Sequence, residues 1–306
     1  MTDVEQAGEL TLQFTEDPRA FLDAVEAHLA ADPVLTTVVS TVTHRVLAED
    51  ARGVPAPDHP RWWVVVRRGD EVVGVAMRTA PFAPYPLFVL PMPEAGARAI
   101  AQALHDRGEE VGGVNGALPA AEVLAAEAAR LVGAQPTVHE HTRLFELGEL
   151  IEPAPVEGRL RLAREDDLDL AVAWFRAFSQ DAAEQAGHPA LEGEHFTWED
   201  MAVRIESGRV WFWEDATGQR VHLTGANPPS FGVARIGPVY TPKEQRGRGY
   251  ASAAVAEVSR RLLAEGTRVC LFTDQANPTS NRIYQQLGFR PVVDMANLLV
   301  DAAAPA

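Results

Sequence analysis

The sequence predicts a mixed α/β fold, a mostly antiparallel sheet flanked by helices, built twice along the chain. Three observations carry this. Each half runs through the same order of elements, β-α-α-β-β-β-α-β-α-β. Trp62 and Trp211 fall at matching places, and roughly 150 residues between repeats suits two domain-sized units. Between the halves, "LIEPAPVEG" (Leu150 to Gly158) combines two prolines and a glycine in the manner of a linker. The expected division is 1–150, a linker at 151–158, and 159–306.

The elements follow from local pattern. The first half opens with the strand "LTLQF" and the helices "PRAFLDAVEAHLA" and "VLTTVVSTVTHRVLAE". The second opens with "LRLAR", "EDDLDLAVAWFRAFSQDAAEQ" and "HFTWEDMAVRIESG". "RWWVVVRRGDEVVGVAMRT" and "RVWFWEDATGQRVHLTGAN" each read as a hairpin around a Gly/Asp turn. "YPLFVL" and "FGVARIGPVY" are the next strands, each leading to a long helix and a closing strand–helix–strand. Early hairpins and late crossovers make a mixed sheet covered on both faces.

Composition narrows the function. In 306 residues there are 27 basic and 43 acidic side chains, a net charge of −16. Nucleic-acid binding needs clustered Lys and Arg, so that class is disfavoured, whereas a small neutral or cationic partner is compatible. The lone Cys270 permits no intrachain disulfide, and within "RVCLFT" it reads as a core residue. His139 and His141 alternate on one strand with no third ligand in view, so no metal is expected. The polar start "MTDVEQAGEL" is unlike a signal peptide, and no apolar run reaches membrane-spanning length. A cytoplasmic protein with no membrane partner is expected.

The chemistry is concentrated in "EQRGRGYAS". From Gly249 onward Ala251, Val255, Val258 and Leu262 fall on one helical face. Ahead of that helix stand Arg246, Gly247, Arg248 and Gly249. The first N–H groups of a helix lack intrahelical partners and sit at the positive end of its dipole. Glycines there let the backbone approach an anion, so the stretch suits a phosphate or pyrophosphate. Gly247, Gly249 and Ser252 also imitate dinucleotide-binding spacing, but the polar run "TPKEQR" separates them from the strand. A Walker loop is excluded by the lack of Gly-Lys-Ser/Thr in this stretch.

"QRGRGYA" resembles the acyl-CoA motif of the GNAT superfamily of N-acetyltransferases, Gln/Arg-x-x-Gly-x-Gly/Ala, with Arg246, Gly249 and Ala251 in register. "DQANPTSNRIYQQLGF" resembles the family's second stretch through Asn277, Tyr284 and Leu287-Gly288-Phe289. The resemblance covers about residues 159–299 and extends to the first half only in element order. It implies two tandem acyl-CoA N-acyltransferase folds, with acetyl-CoA as donor and a small-molecule or peptide amine as acceptor. It also implies a loop, Arg246 to Ala251 with Tyr250, that holds the CoA pyrophosphate. Val239, Tyr240 and Thr241 would pair with the pantetheine arm, and Asn277 and Asn281 would touch the cofactor. Tyr284 would be the acid on the leaving sulfur. Gly237-Pro238 interrupts the strand, because proline donates no ladder bond, so a bulge is expected there.

The general base is open among Glu206, Glu244, Asp274 and a water chain. Trp211 and Trp213 share a face, lining an acceptor pocket or packing in the core. Acceptor contacts are expected from the loop Gln185 to Trp198. At the matching place the first half reads "FVLPMPEAGARAIAQAL", with Pro91, Pro93 and Glu94 where the loop should be. Ala129 or Arg130 stands at the tyrosine's place. That half is therefore expected to be degenerate, completing the acceptor cleft or acting as an internal pseudo-dimer partner. The chain would then be a monomer with an internal pseudo-dimer, or a homodimer. The other readings are a non-catalytic acyl-CoA-binding or regulatory protein and an aminoacyl-tRNA-dependent peptidyl transferase.

Overall fold

The computed structural model describes residues 10–55, 58–187 and 197–301. It contains twelve strands and eight helices among those residues, and the chain forms two compact units.

The first unit comprises Met1–Asp32, Val38–Glu140 and Met295–Ala306. Its strands are β1 (Leu10–Thr15), β2 (Trp62–Arg68), β3 (Glu71–Arg78), β4 (Leu87–Val89) and β5 (Gly113–Ala117). The strands are ordered as numbered, and β5 is followed by β12 (Phe289–Asp301), whose Met295–Leu299 pairs antiparallel with it. Only β4 and β5 are parallel. The helices are α1 (Pro18–Ala31), α2 (Thr37–Ala51), α3 (Glu94–Asp106) and α4 (Ala120–Val132). The run Trp62 to Val66 is buried at every position, because both faces of β2 are covered. Trp62, Val64 and Val66 pack into the core that holds Ile100, Leu104 and Leu124, whereas Trp63 stacks on Phe21 of α1. Asp17 caps α1 through its carboxylate, taking the amides of Arg19 and Ala20.

The second unit comprises Pro33–Thr37 and His141–Asp294. Its strands are β6 (Gln135–Leu147), β7 (Arg159–Leu162), β8 (Val210–Glu214), β9 (Arg220–Ala226), β10 (Val233–Tyr240) and β11 (Arg268–Asp274). They are ordered β6-β11-β10-β9-β8-β7, with β10 and β11 parallel and the other neighbours antiparallel. Helices α5 (Leu168–Ala186) and α6 (Trp198–Glu206) cover one face through Val172, Met201, Phe212 and Leu223. Helices α7 (Tyr250–Ala264) and α8 (Pro278–Gln286) cover the other through Ala254, Val255, Val258 and Tyr284.

The element order follows the sequence reading, with one rearrangement. Each half was expected to finish with its own closing strand. Instead Thr142–Glu146, the end of the first half, pairs with β11 in the second unit. Met295–Leu299, the end of the second, pairs with β5 in the first. The compact units therefore do not follow the continuous division at 150 and 159. Residues 151–156 are irregular, yet Val156 packs against the second unit's core.

Candidate functional site

Strand β10 carries a bulge at the expected place. Its pairing with β9 shifts between Ile236 and Val239, and Gly237–Pro238 is a cis peptide. The bulge leans on Gly225 of β9, where an added Cβ would lie 2.9 Å from the Gly237 carbonyl and 3.1 Å from Pro238 Cδ. Toward β11 the parallel ladder ends at Ile236, paired with Leu271. Beyond it β11 continues with β6 alone, through Phe272–Asp274. Val239 and Tyr240 keep β9 on one side and have no strand on the other. The sheet thus splays open along one edge of β10.

That edge leads into the glycine loop. A single 3₁₀ turn, Lys243–Gln245, is followed by Arg246 in an extended conformation. Gly249 is left-handed at φ 82° and caps α7. A side chain there would be strained and would strike Val156, 2.9 Å from the added Cβ. The first α7 amide to find a carbonyl is that of Ala253, bonded to Gly249. Every amide from Gly247 through Ser252 lacks a hydrogen-bond partner among the described residues. Consecutive unpaired N–H groups at the positive end of a helix form a cradle for an anion.

The two arginines differ. Arg246 donates from Nε to the Thr241 carbonyl at 2.9 Å and from Nη2 to Asp181 of α5 at 2.8 Å. Its guanidinium braces the loop from behind. Arg248 is exposed and makes one long bond, 3.4 Å, to the Glu244 carbonyl. The loop's mobile positive charge is therefore that of Arg248, and Arg246 serves geometry.

Tyr250, Ala253, Ala254 and Tyr284 belong to one buried cluster, and Val239 packs against it. The strand edge, the loop helix and the candidate acid are thereby brought together. Tyr284 lies edge-on to Phe289, with ring centroids 5.9 Å apart. Its phenol has no hydrogen-bond partner among the described residues. Burial raises its pKa well above the ordinary phenol value, so the group keeps its proton at neutral pH. Asn277 caps α8, accepting from Ser280 N at 3.1 Å and donating to Gln185 at 3.1 Å. Asn281 donates to the carbonyls of Asp274 and Asn277, at 2.8 and 2.7 Å. Both amide groups are spent on fixing the turn from β11 into α8, which is a scaffolding use beside the expected cofactor contact.

Other expectations fall into place or away. Trp211 and Trp213 pack in the core on the α7 side, and the Trp213 indole N–H bonds the Glu157 carbonyl at 3.1 Å. The aromatic beside the donor strand is Trp174 of α5, 5.9 Å from Tyr240. Glu206 and Glu244 are exposed, and Asp274 is half-buried with one oxygen on the Ala276 amide. Burial pushes the Cys270 thiol up to about 11, consistent with a core residue. Part of the loop Gln185 to Trp198 (188–196) and the first nine residues lie outside the described residues. Among the described residues no cluster of three His, Cys, Asp or Glu is placed to hold a metal.

Asp181, His222 and Thr224 escaped the sequence reading. His222 and Thr224 alternate with Val221 and Leu223 along β9 and mimic a solvent-facing stripe, but both are fully buried. Asp181 sits 65 residues before the arginine it holds.

In the first unit the corresponding edge is closed. Leu87, Phe88 and Val89 pair with β3 on one side and with β5 on the other, leaving no splay. A Cβ at Gly116 would meet the Val89 carbonyl at 2.1 Å, so the two strands lie as close as backbones can. Helix α3 begins at Pro93 and Glu94 without a side-chain cap.

Comparison with known proteins agrees with this geometry. Residues 229–297, which hold the bulge, the loop and Tyr284, match the model of the FR47-like protein family. A GNAT-family acetyltransferase from Colwellia psychrerythraea is 12% identical, with 94% of this chain and 98% of that one covered and a TM-score of 0.56. A GCN5-related N-acetyltransferase from Sphaerobacter thermophilus is 16% identical over 94% of each chain, TM-score 0.55. A tandem GNAT protein from the clavulanic acid biosynthesis pathway is 16% identical over 97% of this chain and 100% of its own, TM-score 0.56. No curated protein matches the sequence. The chain has the fold of these GNAT proteins, one of them a tandem, and the segment that matches the FR47-like model lies almost entirely in the second unit.

Proposed function

We propose that the protein is an N-acetyltransferase that moves the acetyl group of acetyl-CoA to a primary amine by direct attack in a ternary complex. One observation carries the reading: the open edge of β10 runs straight into a row of unpartnered amides, Gly247 to Ser252. A pantetheine arm needs such an edge, and a pyrophosphate needs such a row. The acceptor is a small-molecule or peptide amine, and the charge of −16 favours a cationic one.

In this reading Val239 to Thr241 hold the pantetheine, and the bulge leaves backbone N–H free to polarise the thioester carbonyl. The neutral amine attacks that carbonyl, a tetrahedral oxyanion forms, and the C–S bond breaks. Tyr284 hydrogen-bonds the departing sulfur and yields its proton as thiolate charge develops. A desolvated thiolate is itself more basic than in water, which narrows the gap to the raised phenol. The amine's surplus proton leaves to solvent or to a base.

The first unit, with its closed edge, holds no acyl-CoA. The test is calorimetric titration with acetyl-CoA of the wild type and of Gly249→Val. One site per chain, lost in the variant, is expected, followed by turnover in a screen of amines. Two sites, or binding unaffected by the variant, would overturn the assignment.

A further inference from the structure

Thr241 is the first residue after β10, whose ladder with β9 ends at Tyr240 opposite Leu223. No strand pairing holds it, yet everything about the glycine loop hangs from it. Two sets of contacts replace the ladder. From α5, Asp181 takes Arg246 at 2.8 Å, the Tyr240 hydroxyl at 3.1 Å and Lys243 at 3.4 Å, and Arg246 in turn binds the Thr241 carbonyl. From β9, His222 takes the Thr241 hydroxyl on Nδ1 at 2.7 Å. Its Nε2 meets the Thr224 hydroxyl at 2.6 Å.

We propose that His222 is a positioning residue for the donor site, setting through Thr241 where β10 leaves the sheet and hence how far the amide cradle lies from the strand edge. The proposal rests on the acyl-CoA reading above. A neutral imidazole offers one donor and one acceptor, and each threonine hydroxyl can be either. The buried His222 and Thr224 are therefore satisfied, as buried polar groups require, with half-buried Thr241 closing the chain. Burial keeps His222 neutral by pushing its pKa down to about 3, so the clamp stays unchanged at physiological pH. An aliphatic residue would fill this place in the sheet without demanding partners. The trio links β9 to Thr241, at the root of the loop.

The experiment compares two probes on the full chain. Coenzyme A spans the strand edge and the loop, whereas pantetheine lacks the diphosphate and reaches only the edge. Kd is measured for coenzyme A by calorimetry and for pantetheine by ligand-observed NMR. Losing the His222–Thr241 hydrogen bond in Thr241→Val or His222→Leu should weaken coenzyme A about tenfold, and His222→Leu, which leaves the strand edge itself intact, should move pantetheine by no more than roughly twofold. Thr241→Ser and His222→Gln, which keep a hydroxyl or an amide, should recover most of the loss. Thermal melts confirm that each variant is folded. Equal weakening of both probes by His222→Leu, or no change in either, overturns the positioning role. Failure of the wild type to bind coenzyme A at all would remove the donor-site reading, and this inference with it.

Discussion

At the scale of the residue, the site separates groups that act from groups that hold. The Tyr284 hydroxyl has no hydrogen-bond partner among the described residues, so Tyr284→Phe removes the hydroxyl and leaves the ring's packing. Turnover should fall by about a hundredfold, the usual weight of one general acid, while acyl-CoA affinity stays put in a calorimetric titration. Unchanged turnover would take the acid role away from it. The two loop arginines should part company. Arg248→Ala should weaken acyl-CoA by about 1 kcal/mol, less at high salt, as an exposed charge on phosphate does. Arg246→Lys should weaken binding nearly as much as Arg246→Ala. A lysine cannot reach Asp181 and the Thr241 carbonyl with one planar fork. Salt titration of Kd across the three variants decides it.

At the scale of the element, the start of α5 is held by an ionic cluster. Asp167 is 1% exposed and receives Arg161, Arg220 and the amide of Arg164. Burial alone would raise its pKa, but hydrogen bonds from Arg161, the Arg164 amide and Arg220 prevail and lower it from 3.8 to about 2. A depressed carboxyl stabilises the fold above its unfolded pKa and loses that contribution as pH falls through the folded one. Acid destabilisation should therefore include a component between pH ~4 and ~2. Asp167→Asn should remove that component and cost on the order of 3 kcal/mol at neutral pH, because it takes the buried carboxylate from between Arg161 and Arg220. Chemical denaturation across pH reads both.

Legibility followed the same division. Features written in adjacent residues were readable: the bulge from Gly237-Pro238 and the helix that begins just after Gly249. What depended on distant partners was not. Nothing near Arg246 announces Asp181. The Trp211 and Trp213 stripe cannot say which face α7 will cover. Nor does β9 alone announce that His222 is buried, because alternation assumes one wet face and here helices cover both.

At the scale of the whole molecule, the two units share an architecture and differ in one opening. Three residues of β4 zipped on both sides replace a splayed β10, which is why one acyl-CoA per chain is expected from a protein with two such folds. The exchange of closing strands also decides how the chain can be divided. A fragment of residues 159–306 would lack Thr142–Glu146 and leave the long side of β11 unpaired. It should melt without cooperativity or aggregate, whereas a fragment beginning before Gln135 keeps that strand. Light scattering and calorimetry of the two fragments would separate these outcomes.

The same exchange sets an order of completion on the ribosome. Protein chains emerge amino end first and fold as they appear. The second unit's strand Thr142–Glu146 is made before its partner β11, so that pairing is complete once Asp274 has emerged. The first unit, synthesised earlier, waits with one side of β5 bare until Met295–Leu299 arrives. A nascent chain stalled just short of residue 295 would thus carry the complete candidate site on a polypeptide whose older half is still open.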